Sequence, residues 1–210
     1  MTRGIVLANC PTNSEFSVCV IGLGGGCLPS FLNRKFLEIR IVCIELDPVV
    51  VEIANSWFAF TPNWRMESLV DDGVRYIDQA FKERTRFNVM ILDVSSDIHK
   101  EGLVAPIPEL ITDDCLNKIK TIVGPKGLLV MNLVTRDETK AEDVKQLLRA
   151  HFSCVGGIKI EEQVNEVLFC FPLMSKTEVV SCRQTFLDEL SSLEVLCFII
   201  ITLIVKCSHC

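Results

Sequence analysis

Residues 17–26, SVCVIGLGGG, decide how this chain folds. An apolar run, Ser17-Val18-Cys19-Val20-Ile21, stops at Gly22-Leu23-Gly24-Gly25-Gly26. A short apolar run closed by turn residues is the pattern of a strand buried on both faces. The glycines behind it let the backbone turn tightly and approach a ligand with no Cβ in the way. A helix starting there offers N–H groups that no helical carbonyl uses. An ordinary strand–helix turn is the plainer reading, yet four glycines in five positions exceed what turning alone requires.

Working outward, the strand–helix alternation repeats. Residues 39–44 (IRIVCI) read as a second strand, followed by a helix from Pro48 to about Phe58. Pro48 suits the first helical turn because its missing N–H has no partner to lose there. A short strand over 66–70 precedes a helix around 74–81, and residues 87–92 (FNVMIL) read as another buried strand. A loop with Gly102, Pro106 and Pro108 then leads to an amphipathic helix of about 109–123. The turn Gly124-Pro125-Lys126-Gly127 feeds a strand over 128–133, and Val144, Leu147 and Leu148 mark one face of a helix over 138–152. The last two runs, about 154–161 and 166–171, lie too close for a parallel crossover and must form an antiparallel hairpin.

The pattern predicts an α/β, Rossmann-like fold: seven strands, mostly parallel, with helices on both faces. At 210 residues, 49% hydrophobic and 23% charged, the chain is globular rather than disordered and suits a single domain over 16–175. A short extension (1–15), a C-terminal helix (176–194) and an apolar tail (195–210) flank it. A net charge of −6 disfavours nucleic acid as a partner. Residues 195–205, VLCFIIITLIV, are too short for a transmembrane span, which takes about 20 residues. Eleven cysteines, mostly single within apolar runs, read as free thiols of a reducing, cytoplasmic compartment. Cys207 and Cys210, around His209, have no second pair at ligand spacing, so no metal is expected. Oligomeric state leaves no trace in the sequence.

In an open parallel sheet the ligand sits beyond the carboxyl ends of the strands, where strand order reverses. A dinucleotide fingerprint needs a third glycine where Cys27 stands, whereas Gly22, Gly24 and Gly26 satisfy G-x-G-x-G, a spacing familiar from S-adenosylmethionine sites. Glu45 ends the second strand, 23 residues after Gly22, where a carboxylate can accept from both ribose hydroxyls of either cofactor class. Asp47 reads as the cap of the following helix. Asp72-Gly73 follows the third strand; Asp72 either caps the next helix or accepts from an adenine amine, and Asp71 is expected to face solvent. Asp93 ends the fourth strand after an unbroken apolar run and should face the cleft, because burying an unpaired carboxylate is costly; there it can bind the amino group of the cofactor or the incoming amine, the structural alternative being a cap for the following loop. His99 lies in the next loop, and His151 closes a helix whose C-terminus it should stabilise.

Taken together, VCVIGLGGGCLPSFL, IVCIELDP, DDGVRYI, FNVMILDVSS and GPKGLLVMNLVTRD resemble the class I S-adenosylmethionine-dependent methyltransferases of the spermidine-synthase-like branch. With NSWFAF and VNEVLFC added, they are similar to the methyltransferase-like protein 13 family, lysine and N-terminal methyltransferases of elongation factor 1-alpha. The similarity runs over 16–171, about three-quarters of the chain. It implies a sheet of order 3-2-1-4-5-7-6. It also implies S-adenosylmethionine as cofactor, with Gly22, Gly24 and Gly26 lining it, Glu45 on its ribose, Asp72 and Gly73 at its adenine, and Asp93 catalytic, facing the transferred methyl. The implied substrate is a protein amine. Polyamine synthases of the branch carry an acidic residue in the glycine loop and a D-S-S-D after the fourth strand. Here the loop has no acid and the later segment reads Asp93-Val94-Ser95-Ser96-Asp97, which disfavours aminopropyl transfer. The short lead-in before the first strand and the unmatched tail raise the expectation of a truncated form with impaired catalysis. A catalytically silent, cofactor- or partner-binding fold is the alternative, with a nicotinamide oxidoreductase behind it.

Overall fold

Strand β1 (Phe16–Ile21) pairs in parallel with β2 (Ile39–Glu45) on one side and with β4 (Val89–Leu92) on the other. The computed structural model describes residues 16–95, 102–159 and 164–173. Parallel β3 (Met66–Val70) closes the sheet beyond β2, and β6 (Leu128–Thr135) lies parallel to β4. The hairpin β7 (Cys154–Lys159) and β8 (Asn165–Phe171) completes the order β3-β2-β1-β4-β6-β8-β7, with β8 antiparallel to β6. The seven expected strands therefore stand in the expected order.

Alternate residues of each strand feed two cores, which is why the runs read as continuously apolar. Cys19 and Ile21 of β1 pack with Met90, Leu92, Leu129 and Met131 on one face; Phe16, Val18 and Val20 pack with Ile39, Ile41 and Cys43 on the other. Helices α3 (Gly73–Lys82), α4 (Asp113–Val123) and α5 (Glu138–His151) cover the first face through Ile77, Leu116, Ile119, Ile122 and Leu148. Ala54 of α2 (Pro48–Trp57) and Phe60 belong to the second core, and Leu32 of α1 (Cys27–Lys35) packs against it.

Most helix starts carry the cap their sequence offers. Asp47 accepts from the Val49 N–H at 2.8 Å, Asp72 from Arg75 at 2.9 Å, and Asp137 from Thr139 at 2.9 Å. Two departures lie between β4 and α4. Residues 103–105, read as loop, form a short β5 (Leu103–Ala105) antiparallel to the end of β6, so the sheet has an eighth strand. The helix expected from about 109 begins at Asp113, because Pro108–Ile111 forms a 3-10 turn and Thr112 caps α4, its hydroxyl accepting from the Cys115 N–H at 3.2 Å.

The three helices on the first face are tied by charge as well as by packing. Lys118 of α4 donates to Asp78 of α3 at 2.7 Å and also pairs with Asp114. His151 bonds across to α4 rather than only closing its own helix: Nε2 lies 2.7 Å from Asp113 and Nδ1 3.2 Å from Asn117. The expected extension 1–15, the helix 176–194, the tail 195–210 with Cys207 and Cys210, and the loop residues Asp97 and His99 lie outside the described residues.

Candidate functional site

The strand order reverses between β1 and β4, and both strands end at the same rim. Gly22 leaves β1 with φ +93°, a conformation L side chains rarely adopt, and its N–H donates to the Ile44 carbonyl at 2.8 Å. A Cβ at Gly22 would lie 2.3 Å from the Asp93 carbonyl oxygen, so only glycine lets β1 and β4 finish side by side. Gly26 also has positive φ, and a Cβ there would meet the Phe60 ring at 2.6 Å. The fold itself thus uses two of the four glycines. Gly24 adds a third left-handed turn, φ +52°.

This geometry leaves α1 different from its neighbours. Its N-cap is Gly26 in the left-handed conformation, with no side-chain cap; each of the other described α-helices has one. The first N–H groups of α1 therefore lack the Asp or Thr oxygen that closes α2 to α5, and they sit directly behind the glycine loop.

Glu45, at the end of β2, is half-buried and grips that loop. Its Oε2 accepts from the Leu23 N–H at 2.9 Å, and its Oε1 accepts from the Asp47 N–H at 3.1 Å. An ionised carboxylate has about four acceptor sites, so about two remain for a ligand's hydroxyls. The Asp71 N–H donates to the Glu45 carbonyl at 2.9 Å, which clips the start of the β3–α3 turn to the same place. Gly73 opens α3 hard against β1: a Cβ there would stand 2.5 Å from Ile21 Cγ2.

Asp72 is exposed and caps α3, which does not prevent its carboxylate from meeting a ligand as well. The neighbour expected to face solvent does not: Asp71 is only 18% exposed and pairs with Arg75, whose Nε donates at 2.6 Å. The reason is helical spacing, since residues four apart lie on one face of α3's first turn.

Asp93 is buried at 9% exposure, more enclosed than a cleft-facing carboxylate was expected to be. A hydrogen bond offsets part of that desolvation: Asn132 Nδ2 donates to Asp93 Oδ1 at 3.2 Å. Asn132 Oδ1 in turn accepts from Asn165 Nδ2 at 3.3 Å. Neither amide was singled out from sequence. The signal was present, since Asn132 interrupts the run LLVMNLVT and both amides end up buried, at 6% and 0% exposure.

The parallel strands β1 to β4 thus end with Gly22, Gly24, Gly26, Glu45, Asp72, Gly73 and Asp93 on one rim, where Glu45 bonds the glycine loop and Gly22 abuts the Asp93 carbonyl. Among the described residues no group of three or more His, Cys, Asp or Glu could hold a metal ion.

No family model matches the chain. A curated relative from Drosophila pseudoobscura pseudoobscura, an eEF1A lysine and N-terminal methyltransferase homolog, is 36% identical over 174 residues, 81% of this chain and 26% of its own length. The Homo sapiens eEF1A lysine and N-terminal methyltransferase is 36% identical over 176 residues, 81% of this chain and 25% of its own. The chain spans about a quarter of the length of the curated relatives it matches. Among solved structures, human methyltransferase-like protein 13 in complex with SAH is similar with a TM-score of 0.75 and 32% identity. That match covers 85% of this chain and 83% of that one.

Proposed function

The chain belongs to the methyltransferase-like protein 13 family, and from that premise we propose that it is an S-adenosylmethionine-dependent methyltransferase acting on a protein amine. The amine is a lysine or an N-terminus of an elongation factor 1-alpha-like protein, as the names of its relatives suggest. A reducing, cytoplasmic setting suits the six cysteine thiols among the described residues.

The observation that carries this reading is Glu45: a carboxylate at the end of the second strand, hydrogen-bonded to the glycine loop and still able to accept. The rim fits an adenosine ligand. Glu45 would hold its vicinal hydroxyls, the loop from Gly22 to Gly26 would pass close beneath, and Asp72 would accept from its exocyclic amine. The uncapped start of α1 suits a carboxylate on the ligand, since anions are stabilised at a helix N-terminus.

When bound, S-adenosylmethionine supplies a methyl group activated by a sulfonium. The chain's part is to position and to exclude water. Asp93, buried at the end of β4, accepts a hydrogen bond from the incoming neutral amine and turns its lone pair toward the donor; it need not act as a strong base. The acceptor nitrogen gives up its extra proton to solvent after transfer.

Incubating the full chain with methyl-labelled S-adenosylmethionine and purified elongation factor 1-alpha tests the proposal. Label on the factor, lost in Glu45→Ala and reduced to a slow but measurable rate in Asp93→Ala, is the expected result. Cofactor binding with no label on this factor or on any lysate protein would instead favour a silent binding fold.

A further inference from the structure

Three strands converge on Asp93 in a way that goes beyond that reading, although it rests on it. The parallel register pairs Leu92 with Met131, so the next step along the ladder places Asp93 beside Asn132. The antiparallel register pairs Val134 with Asn165 and Asn132 with Val167. Residues two apart on a strand share a face, so Asn132 and Asn165 are diagonal neighbours on the same side of the sheet. The side chains complete what the register prepares: Asn165 donates to Asn132, and Asn132 donates to Asp93.

The direction of these bonds matters. An amide has one accepting and one donating end, and its own side chain does not choose between two orientations. Asn165 occupies the oxygen of Asn132, which leaves the Nδ2 end to face Asp93. A neutral donor holds a carboxylate in one rotamer without neutralising its charge, which a Lys or Arg at this position would do. Asn132 is 6% exposed and sits between apolar neighbours on its strand, where an amide is costly unless its bonds are made.

We propose that Asn132 is a positioning residue for methyl transfer: it fixes the Asp93 carboxylate, and the antiparallel strand β8 serves the site by setting Asn132's amide through Asn165. Asn132 acts only through Asp93, so its effect belongs in turnover rather than in cofactor affinity.

The test is a double-mutant cycle on the full chain. Asn132→Leu removes the donor at similar volume, and hydrogen bonds to charged groups are worth enough for kcat to fall roughly tenfold to hundredfold. The affinity for S-adenosylhomocysteine, measured by calorimetry, stays unchanged. In an Asp93→Ala background the same substitution changes kcat by less than about twofold, because the group it acts through is gone. Asn132→Ala, which adds no atoms, runs the same cycle should the leucine variant fold poorly. Equal losses in both backgrounds, or weakened S-adenosylhomocysteine binding with kcat intact, overturn the proposal while the methyltransferase reading stands. A wild-type protein that neither binds S-adenosylhomocysteine nor transfers methyl refutes that reading, and the role of Asn132 with it.

Discussion

Substituting Gly22 by alanine disturbs the structure at the point where the site and the sheet depend on the same atoms. The new Cβ lies 2.3 Å from the Asp93 carbonyl oxygen, 2.9 Å from its carbon and 3.2 Å from Val94 Cγ2. Two of these are backbone atoms, so no rotamer change relieves the clash; β1 and β4 must part by about an ångström to restore ordinary contact. That parting strains the bonds that close the strand ends, Asp93 N–H to Ile21 at 2.9 Å and Gly22 N–H to Ile44 at 2.8 Å. Alanine at a positive φ costs about 1–2 kcal/mol, and overpacking about 1–3 kcal/mol more. The expected destabilisation is therefore about 2–5 kcal/mol, a fall in Tm of roughly 4–20 °C for a protein of this size. Thermal unfolding followed by circular dichroism reads it directly, with no ligand or substrate required. A variant whose Tm falls by less than about 2 °C would refute the claim that glycine is needed here for the approach of the two strands.

Gly73→Ala offers the milder contrast: its Cβ meets a side-chain methyl, Ile21 Cγ2 at 2.5 Å, and Gly73 is not among the positive-φ glycines, so a smaller loss of about 1–3 kcal/mol is expected in the same assay. Acid sensitivity should have a contribution from Asp78, whose carboxyl is held below its ordinary value by the hydrogen bond from Lys118. A depressed carboxyl contributes stability above its unfolded pKa and loses it as pH falls through the folded one, so Lys118→Met should flatten the loss of stability below about pH 4 in acid unfolding curves. An unchanged slope would mean that this pair is worth nothing to the native state. Burial pushes the Cys115 thiol up to about 11 and Cys170 up to about 12. Alkylation of the native protein near pH 8, read by mass spectrometry, should therefore modify half-buried Cys27 before Cys19, Cys43, Cys115, Cys154 or Cys170. Faster labelling of Cys170 would contradict the described core.

Strands buried on both faces announce themselves because every position must be apolar, and β1, β2, β4 and β6 were legible for that reason. The acids at their ends stood out against those runs: Glu45 and Asp93 are the first charges after hydrophobic stretches. Strand β5 was not legible, since three residues between Gly102 and Pro106 carry no period and pair only with distant Val134 and Thr135. The Asp93–Asn132–Asn165 chain escaped for the same reason, as its bonds span 39 and 33 residues and depend on the register of three strands. The glycine loop reads in sequence as a ligand feature or a plain turn, whereas Gly22 and Gly26 are also required by Asp93 and Phe60, partners that spacing in the sequence does not reveal. Asp71 escaped because its partner, Arg75, exerts its pull only once α3 has formed.

Calorimetric titration of S-adenosylhomocysteine into the full chain, beside Glu45→Ala and the α2 surface variant Glu52→Ala, tests the cofactor site most directly. The expected result is one saturable site, weakened roughly tenfold or more by the loss of the Glu45 carboxylate and untouched by the change at Glu52. A folded wild-type protein that gives no binding heat, or a Glu45→Ala variant that binds as tightly as wild type, would contradict a ribose held by Glu45 at the rim of the sheet.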